Sequence, residues 1–291
     1  MIGAGYREAD SSNILYPDIR AGRWEMKDMD REKAIREFDA YVSRYHAEDP
    51  MIRLKILHTY RVADIAEEIA QSLHLEDKEI DLAWFLGILH DIGRFEQIQR
   101  YRTFVDSKSV DHAEFGADLL FDQGLIETFH ADGLPQDWRD ISEKAIRSHN
   151  KLALPEGMDE RTMFFSHILR DADKVDIFRV IMESPSVEHS VIRGNPKEEE
   201  GASEKIMESV MAHRCIPRDI RRSDFEVRVS HCCMAFELVY PRSRELALQQ
   251  GYLQKMLRAT EENGSCNWNP VQRGQMEVVR REIERAWGMR V

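Results

Sequence analysis

The sequence predicts an all-α protein, a bundle of amphipathic helices around one core. Apolar residues recur at helical spacing through most of the chain, which is the primary signal for amphipathic helices. Glycine and proline are scarce, with 15 and 9 among 291 residues, so few segments carry helix-breaking residues. No pair of alternating apolar segments is joined by a hairpin turn, so strands are not expected.

Three regions are expected along the chain. Residues 1–29 are polar and without periodicity, which predicts an N-terminal arm. Residues 30–185 carry the strongest helical periodicity and form the main domain. After Ser184 a stretch rich in proline, glycine and charge predicts a loop, and residues 186–291 then form a C-terminal helical extension that packs on the same core.

The first long helix of the main domain is expected to bury a histidine. His58 lies at helical spacing with Val62, Ile65 and Ile69, so it belongs to the apolar face. The next segment, LAWFLGIL at 82–89, is apolar on all sides, which is typical of a helix at the centre of a core.

That central helix is expected to end in the pair His90-Asp91, with Gly93 as its stop signal. Residues 94–111 read as irregular and unusually basic for this chain. A further helix then begins near His112, and Gly116, one turn later, would let another helix approach closely.

Two more helices carry residues of metal-ligand type inside apolar stripes. The segment WRDISEKAIRSHN aligns His149 with Trp138 and Ala145. The segment RTMFFSHILRDADKVDIFRVIM aligns Asp173 with Leu169 and Val180, whereas Asp171 lies off that stripe. Five successive helices or helix ends therefore present histidine or aspartate to the interior.

A shared cation is the natural explanation for so many buried titratable groups. A lone histidine on an apolar face is more often a core residue bonded to a backbone carbonyl. Burying several unpaired charges costs several kcal/mol each, and a bound cation offsets that cost. Four imidazoles and two carboxylates would satisfy a pair of divalent ions.

The composition limits the kinds of substrate and binding partner that we expect. The net charge of −12 and the pI near 5.5 disfavour polymeric nucleic acid and favour a small substrate. The four cysteines form no C-x-x-C pair, so a thiolate metal site is not expected. No secretory signal and no membrane-spanning run stands out, so we expect a cytoplasmic protein without a membrane partner. The oligomeric state stays open and includes a homodimer.

The order H…HD…D resembles the HD superfamily of metal-dependent phosphohydrolases. The strings HTYRVADIA, GILHDIGRF and RDADKVD are each similar to that family's local pattern, over roughly residues 50–185. DHAEFGADLL and IRSHNKLALP resemble the third and fourth histidine segments of the two-metal subset. That subset includes HD-GYP cyclic dinucleotide phosphodiesterases, HD-type diadenosine tetraphosphate hydrolases and oxygenases similar to myo-inositol oxygenase. KLALPEG stands where GYP would fall, which disfavours a cyclic dinucleotide substrate.

The resemblance implies a set of metal ligands. One ion would bind His58, His90, Asp91 and Asp173, and the other would bind Asp91 together with two further histidines. These two are His112 and His149. Asp171 is the rival for the last carboxylate, and the family's ligand context favours Asp173. For Asp171 and Asp176 we expect a helix salt bridge or a hydrogen bond behind the ligands.

The basic residues near the motifs suggest substrate contacts. Lys174, directly after the last ligand, resembles a lysine that contacts phosphate in related nucleotide hydrolases, and Arg94 follows HDIG in the same way. Both are candidate catalytic residues together with Asp91, against the alternative that they are ordinary surface side chains. Arg100, Arg102 and Lys108 could form a phosphate-attracting rim, although a plain exposed loop is the better explanation for any one of them.

The resemblance implies a phosphohydrolase that uses a metal-activated hydroxide on a nucleotide or another small phosphorylated metabolite. Nitrogen and oxygen ligands suit Fe, Mn, Co, Ni, Zn or Mg, as one or two ions. A one-metal enzyme stays open if His112 and His149 only line the pocket. A di-iron oxygenase of the HD type and a non-catalytic HD signalling module are the alternative functions.

Overall fold

The computed structural model describes residues 29–130, 133–183, 201–258 and 268–289, and these residues form helices joined by turns and loops. The predicted all-α fold is confirmed, since the described residues contain no strand. The α-helices in chain order are α1 Arg31–Val42, α2 Pro50–Ser72, α3 Asp77–Leu89, α4 Ile92–Tyr101, α5 His112–Ala117, α6 Ile126–Phe129, α7 Gln136–Ser148, α8 Glu160–Glu183, α9 Glu204–Met211, α10 Asp224–Cys233, α11 Pro241–Gln250, α12 Tyr252–Leu257 and α13 Pro270–Ala286.

Local sequence explains where the long helices begin and end. The Asp49 side chain accepts a hydrogen bond from the amide of Met51 at the start of α2, and Pro50 occupies the first turn. At α13, Asn269 and Gln272 form a capping box. Gly251, with φ of +73°, ends α11 and separates it from α12.

The centre of the bundle is α3, as its all-round apolar sequence predicts. Every residue from Leu82 to Leu89 is buried. Helices α2, α7 and α8 pack around it, and α2 and α8 also pack on each other. Helices α2 and α3 approach each other closely at Gly87, where a Cβ atom would lie 2.4 Å from the Cα atom of Ala63.

The segment after HDIG differs from the prediction. Its first part is helical, because α4 runs from Ile92 to Tyr101 and buries Ile92, Phe95 and Ile98. Residues 102–111 are irregular, as expected, apart from a 3-10 turn at Asp106–Lys108. Gly93 is not a stop signal but lies in the first turn of α4, where a Cβ atom would lie 2.7 Å from the backbone nitrogen of Gly116. The predicted close approach at Gly116 is confirmed, and its partner is Gly93.

The C-terminal helices join the main bundle through α8. Helices α11 and α12 both pack on α8, and α13 packs on α9, α10 and α12. Their buried side chains belong to the same core cluster as those of α1 to α8. The predicted arm up to residue 28 and the predicted loop at 184–200 lie outside the described residues. No helix in the described ranges is long and apolar enough to cross a membrane.

Candidate metal centre

Six side chains from five helices or helix ends converge at the predicted site. They are His58 on α2, His90 and Asp91 between α3 and α4, His112 at the start of α5, His149 at the end of α7 and Asp173 on α8. All six side chains are buried, and His58 and His90 are fully enclosed. The structure therefore brings together all the ligands that the resemblance implies.

The first group of donors surrounds His58. Its Nε2 atom lies 3.3 Å from Nε2 of His90, 3.5 Å from Oδ2 of Asp91 and 3.2 Å from Oδ1 of Asp173. Two ligands of one ion at metal distances of about 2.1 Å are roughly 3.0–3.5 Å apart when they subtend 90° to 109°. These separations match donors around a single ion.

The second group of donors uses the other oxygen of the same carboxylate. Oδ1 of Asp91 lies 3.6 Å from Nε2 of His112 and 3.8 Å from Nε2 of His149, and these two nitrogens are 3.1 Å apart. Oδ1 is buried and has no hydrogen-bond partner among the described residues. Asp91 thus divides its two oxygens between the two groups, as a bridging ligand does.

Each histidine ring is oriented through its other nitrogen. Nδ1 of His90 lies 2.7 Å from the carbonyl oxygen of Gly87, and Nδ1 of His149 lies 2.7 Å from that of Ile146. A carbonyl only accepts, so both Nδ1 atoms donate and both Nε2 atoms carry lone pairs when the rings are neutral. For these two histidines, the hydrogen-bond acceptor that orients a metal-binding imidazole is therefore a backbone carbonyl.

The remaining two rings are held by carboxylates. Nδ1 of His58 lies 2.7 Å from Asp176, and Nδ1 of His112 lies 2.7 Å from Asp106. Arg61 in turn donates two hydrogen bonds to Asp176, at 2.6 and 3.0 Å. All four Nε2 atoms consequently face one another across the site.

This arrangement fits a cation. Nitrogen lone pairs that oppose each other at 3.1 Å repel unless a proton or a metal ion lies between them. The buried Oδ1 of Asp91 without a hydrogen bond adds a further unsatisfied acceptor. Imidazole and carboxylate donors without thiolate suit divalent ions such as Fe, Mn, Co, Ni, Zn or Mg.

The protonation of the site also suits metal binding. Burial lowers the pKa of His90 to about 4 and that of His112 to about 3, with Arg94 adding to the second shift. Burial likewise lowers the pKa of His149. Burial alone would raise the pKa of the Asp91 carboxyl, but Lys55 and the surrounding cationic groups hold it well below its ordinary value. Neutral imidazoles and an ionised carboxylate are the forms that bind metals.

His58 behaves differently from the other three histidines. Burial and the nearby Lys55 oppose its protonation, but hydrogen bonds to Asp173 and Asp176 outweigh them and raise its pKa. A proton on His58 satisfies the first donor group in the absence of an ion. Metal binding at this group would release that proton.

A cavity of about 470 Å³ opens beside the cluster. Asp91, His112, His149 and Asp173 line its inner wall, whereas His58 and His90 lie behind that wall. A volume of this size accommodates a metabolite-sized ligand. Part of the outer wall comes from residues 215–237 of the C-terminal helices.

Comparison with known families agrees with this geometry. Residues 56–177 match the family model of the HD domain. This segment is an HD domain. Neither the curated proteins nor the solved structures that we searched contain a match to the chain. The HD domain suggests a metal-dependent hydrolase, and its His/Asp cluster suggests divalent metal ions.

Asp171 and Asp176, the two aspartates on either side of Asp173 in sequence, lie at different positions relative to the His–Asp cluster. Asp171 lies away from the cluster, and its carboxylate accepts hydrogen bonds from the backbone amides of Val239 and Tyr240, both at 2.9 Å. It makes neither the salt bridge nor the contact behind a ligand that the sequence suggests. Asp176 does lie behind a ligand, in hydrogen bond with His58.

The candidate substrate-binding residues fall into two sets. Arg94 and Lys174 line the cavity of the HD domain. Arg102 and Lys108 are exposed and are not part of its lining, and Arg102 forms an ion pair with Asp49 at 2.7 Å. Arg100, also exposed, pairs with Glu96. The structure therefore does not bring the three rim residues to the site.

Several residues of the site escape sequence reasoning. Lys55 is buried and donates to Oδ2 of Asp91 at 2.8 Å. Its signal was its position one helical turn before His58, on the same buried face. Asp106, in a segment expected to be an irregular loop, gave no such signal. Glu237 comes from the C-terminal helices and pairs with Lys174 at 2.9 Å across the cavity wall.

Proposed function

We propose that this chain is a metal-dependent phosphohydrolase. It hydrolyses a phosphomonoester or phosphodiester bond in a nucleotide or another small phosphorylated metabolite. The single observation that carries the proposal is the division of Asp91 between two histidine pairs, with Oδ2 near His58 and His90 and Oδ1 near His112 and His149. Divalent ions bound there would acidify a water molecule and polarise a phosphoryl oxygen.

The cationic side chains around the cluster support a phosphate substrate. Lys55, Arg94 and Lys174 all line the cavity that Asp91 and Asp173 face. Positive groups at fixed positions stabilise the charge that grows on phosphoryl oxygens in the transition state. Because all three are buried, that stabilisation would act in an environment of low polarity.

Lys174 is held in place by a shared carboxylate. Glu237 accepts from Lys174 at 2.9 Å and from Arg170 at 2.8 Å, so two cations share one anion and one net positive charge remains. Arg170 is further anchored by the backbone carbonyls of Ser148 and Lys151. Lys174 is therefore less restrained than Arg170 and can contact a phosphate in the cavity.

Arg94 has a positioning part as well. Its Nη1 atom donates to Gln97, to Asp106 and to the carbonyl oxygen of Phe104. It thereby holds the Asp106 carboxylate, which in turn orients His112. Its Nε atom lies 3.6 Å from Oδ1 of Asp91 and makes no hydrogen bond within the described residues.

The first experiment is the metal content of the chain, by inductively coupled plasma mass spectrometry after purification without chelators or a nickel column. We expect about two ions per chain. The metal-loaded protein is then assayed against a panel of nucleotides and phosphodiesters. In this assay Asp91→Asn should lose both metal and turnover, and Asp140→Asn, at an exposed position of α7, should keep both.

Other outcomes point to the alternatives. About one ion per chain would reduce His112 and His149 to cavity residues. Iron, together with substrate-dependent oxygen uptake and no phosphate release, would replace the proposal by an oxygenase. A chain that binds no divalent ion would be a non-catalytic HD domain, and the proposal would be wrong.

A further inference from the structure

Six lysine and arginine side chains line the cavity, and four of them are in ion-pair contact with a carboxylate. The pairs are Lys55 with Asp91, Arg94 with Asp106, Lys151 with Asp111 and Lys174 with Glu237. The other two, Arg218 and Arg221, have no carboxylate oxygen within 4.0 Å of the guanidinium among the described residues. Both belong to the C-terminal extension, outside residues 56–177.

Arg221 is partly buried and held in a defined orientation. Its Nη1 atom donates to Oγ of Ser230 at 3.2 Å, and its Nε atom donates to the carbonyl oxygen of Arg218 at 3.4 Å. Ser230 is itself buried and bonded to the carbonyl oxygen of Ile216. These bonds use two of the five N–H groups of a guanidinium, so others remain for a ligand.

The charge of Arg221 has no ion-pair partner among the described residues, although the charge of Asp219 raises its pKa. Burial and the neighbouring Arg218 lower its pKa to about 10. Asp219, which lies between the two arginines in sequence, is not in ion-pair contact with either. A fixed guanidinium without a carboxylate, in the wall of a ligand-sized cavity, is the arrangement that binds oxyanions through charge-assisted hydrogen bonds.

We propose that Arg221 and Arg218 form an anion-binding subsite in the cavity wall supplied by the C-terminal helices, and that the substrate carries a second oxyanion, a phosphoryl or carboxylate group, which binds there. The inference rests on the proposed function for the placement of the first phosphate at the His–Asp cluster. It narrows the substrate class from phosphorylated metabolites to bis-anionic ones. It also gives the C-terminal helices a part in substrate selection.

The test uses ligands that the enzyme cannot hydrolyse. Alkylphosphonates, alkane bisphosphonates and ω-carboxyalkylphosphonates of increasing chain length are titrated calorimetrically into the metal-loaded full chain. We expect the bis-anionic ligands of one length range to bind more tightly than the alkylphosphonates. The bisphosphonate and carboxyalkylphosphonate arms distinguish a phosphoryl from a carboxylate partner.

Arg221→Gln should weaken binding of the favoured bis-anionic ligand by about tenfold, the loss of one charge-assisted contact, and leave alkylphosphonate binding within about twofold. Arg221→Lys should retain part of the preference, and Arg218→Gln should show a smaller loss. Arg222→Gln is the matched control, because Arg222 is exposed and does not line the cavity. Thermal melting checks that each variant is folded, and Arg218, which is exposed, provides a second test if Arg221→Gln does not fold.

The proposal is overturned if the wild-type chain binds every bis-anionic ligand no more tightly than the alkylphosphonate. It is equally overturned if Arg221→Gln and Arg218→Gln weaken both ligand classes to the same extent. If the chain hydrolyses no phosphate ester but the arginine-dependent preference is present, the proposed function fails and the subsite stands.

Discussion

The Nε2 atoms of His112 and His149 lie 3.1 Å apart, and both face Oδ1 of Asp91. Such proximity of two ring nitrogens is stable only with a cation or a proton between them. Asp106 fixes the orientation of the first ring through Nδ1 at 2.7 Å. The orientation of His112 in the second donor group therefore depends on Asp106, which is not itself one of the donors.

Replacing Asp106 by Asn should weaken metal binding at this second group. An amide cannot match the carboxylate in polarising the imidazole, and loss of such a partner typically costs about 10- to 100-fold in metal affinity. Metal analysis after extensive dialysis should fall from about two ions per chain to about one. Asp140→Asn should keep the wild-type content, and an unchanged content in Asp106→Asn would contradict the bridging scheme.

A second prediction concerns the contact between α4 and α5. A Cβ atom at Gly93 would lie 2.6 Å from the carbonyl oxygen of His112 and 2.7 Å from the backbone nitrogen of Gly116. Backbone atoms cannot rotate away, so Gly93→Ala must shift α5 and with it His112. We expect a loss of about 1–3 kcal/mol in the free energy of unfolding, measured by urea denaturation.

The chain offers a matched control for this substitution. Gly274 lies inside α13 with open space around its Cβ position. Gly274→Ala should stabilise the chain by up to about 1 kcal/mol, because alanine has the higher helix propensity. If Gly93→Ala leaves the free energy of unfolding unchanged or raises it, the close approach at Gly93 does not limit the packing of α5.

The helical pattern and the motif strings predicted much of this centre. Periodicity places His58 on the buried face of α2, because the spacing of apolar residues along a helix identifies the face that packs against the core. It could not predict α4, whose stripe of Ile92, Phe95 and Ile98 is interrupted by the buried polar residues Arg94 and Gln97. Nor does a single sequence distinguish a glycine that ends a helix from one that admits another backbone, so Gly93 was misassigned.

The contributions of the C-terminal helices lay beyond sequence reasoning for a different reason. Glu237 and Lys174 are 63 positions apart in sequence and meet because α8 packs against the turn that contains Glu237. No local pattern records such a pairing. The same holds for Arg221, which reads in sequence as one of several arginines near a turn.

The third prediction separates Asp171 from Asp173. Asp173→Asn should lower metal affinity, since its oxygen lies 3.2 Å from Nε2 of His58. Asp171→Ala should leave metal content unchanged but remove the acceptor of two backbone amides at the start of α11. Leaving buried amides without a partner costs about 1–3 kcal/mol each, which lowers the free energy of unfolding. Metal loss in Asp171→Ala without loss of stability would reverse the assignment.

The fourth prediction is a pH dependence that originates in His167. Burial, with Arg170 and Lys174 nearby, lowers the pKa of His167 to about 4. In the unfolded chain a histidine titrates near 6.5, so between these values the unfolded state binds more protons than the folded state. Its contribution to stability is therefore present above about pH 6.5 and is lost as the pH falls toward 4.

Comparison of the wild-type chain with His167→Gln isolates this contribution from the other buried histidines. Urea denaturation of both proteins is measured at several pH values in this range, with a chelator present so that metal loss plays no part. As the pH falls, the wild-type chain should lose up to about 3 kcal/mol more than the variant, because glutamine cannot take up the proton. Parallel pH profiles for the two proteins would show that His167 titrates in the folded chain as it does in the unfolded chain, and that Arg170 and Lys174 do not oppose its charge.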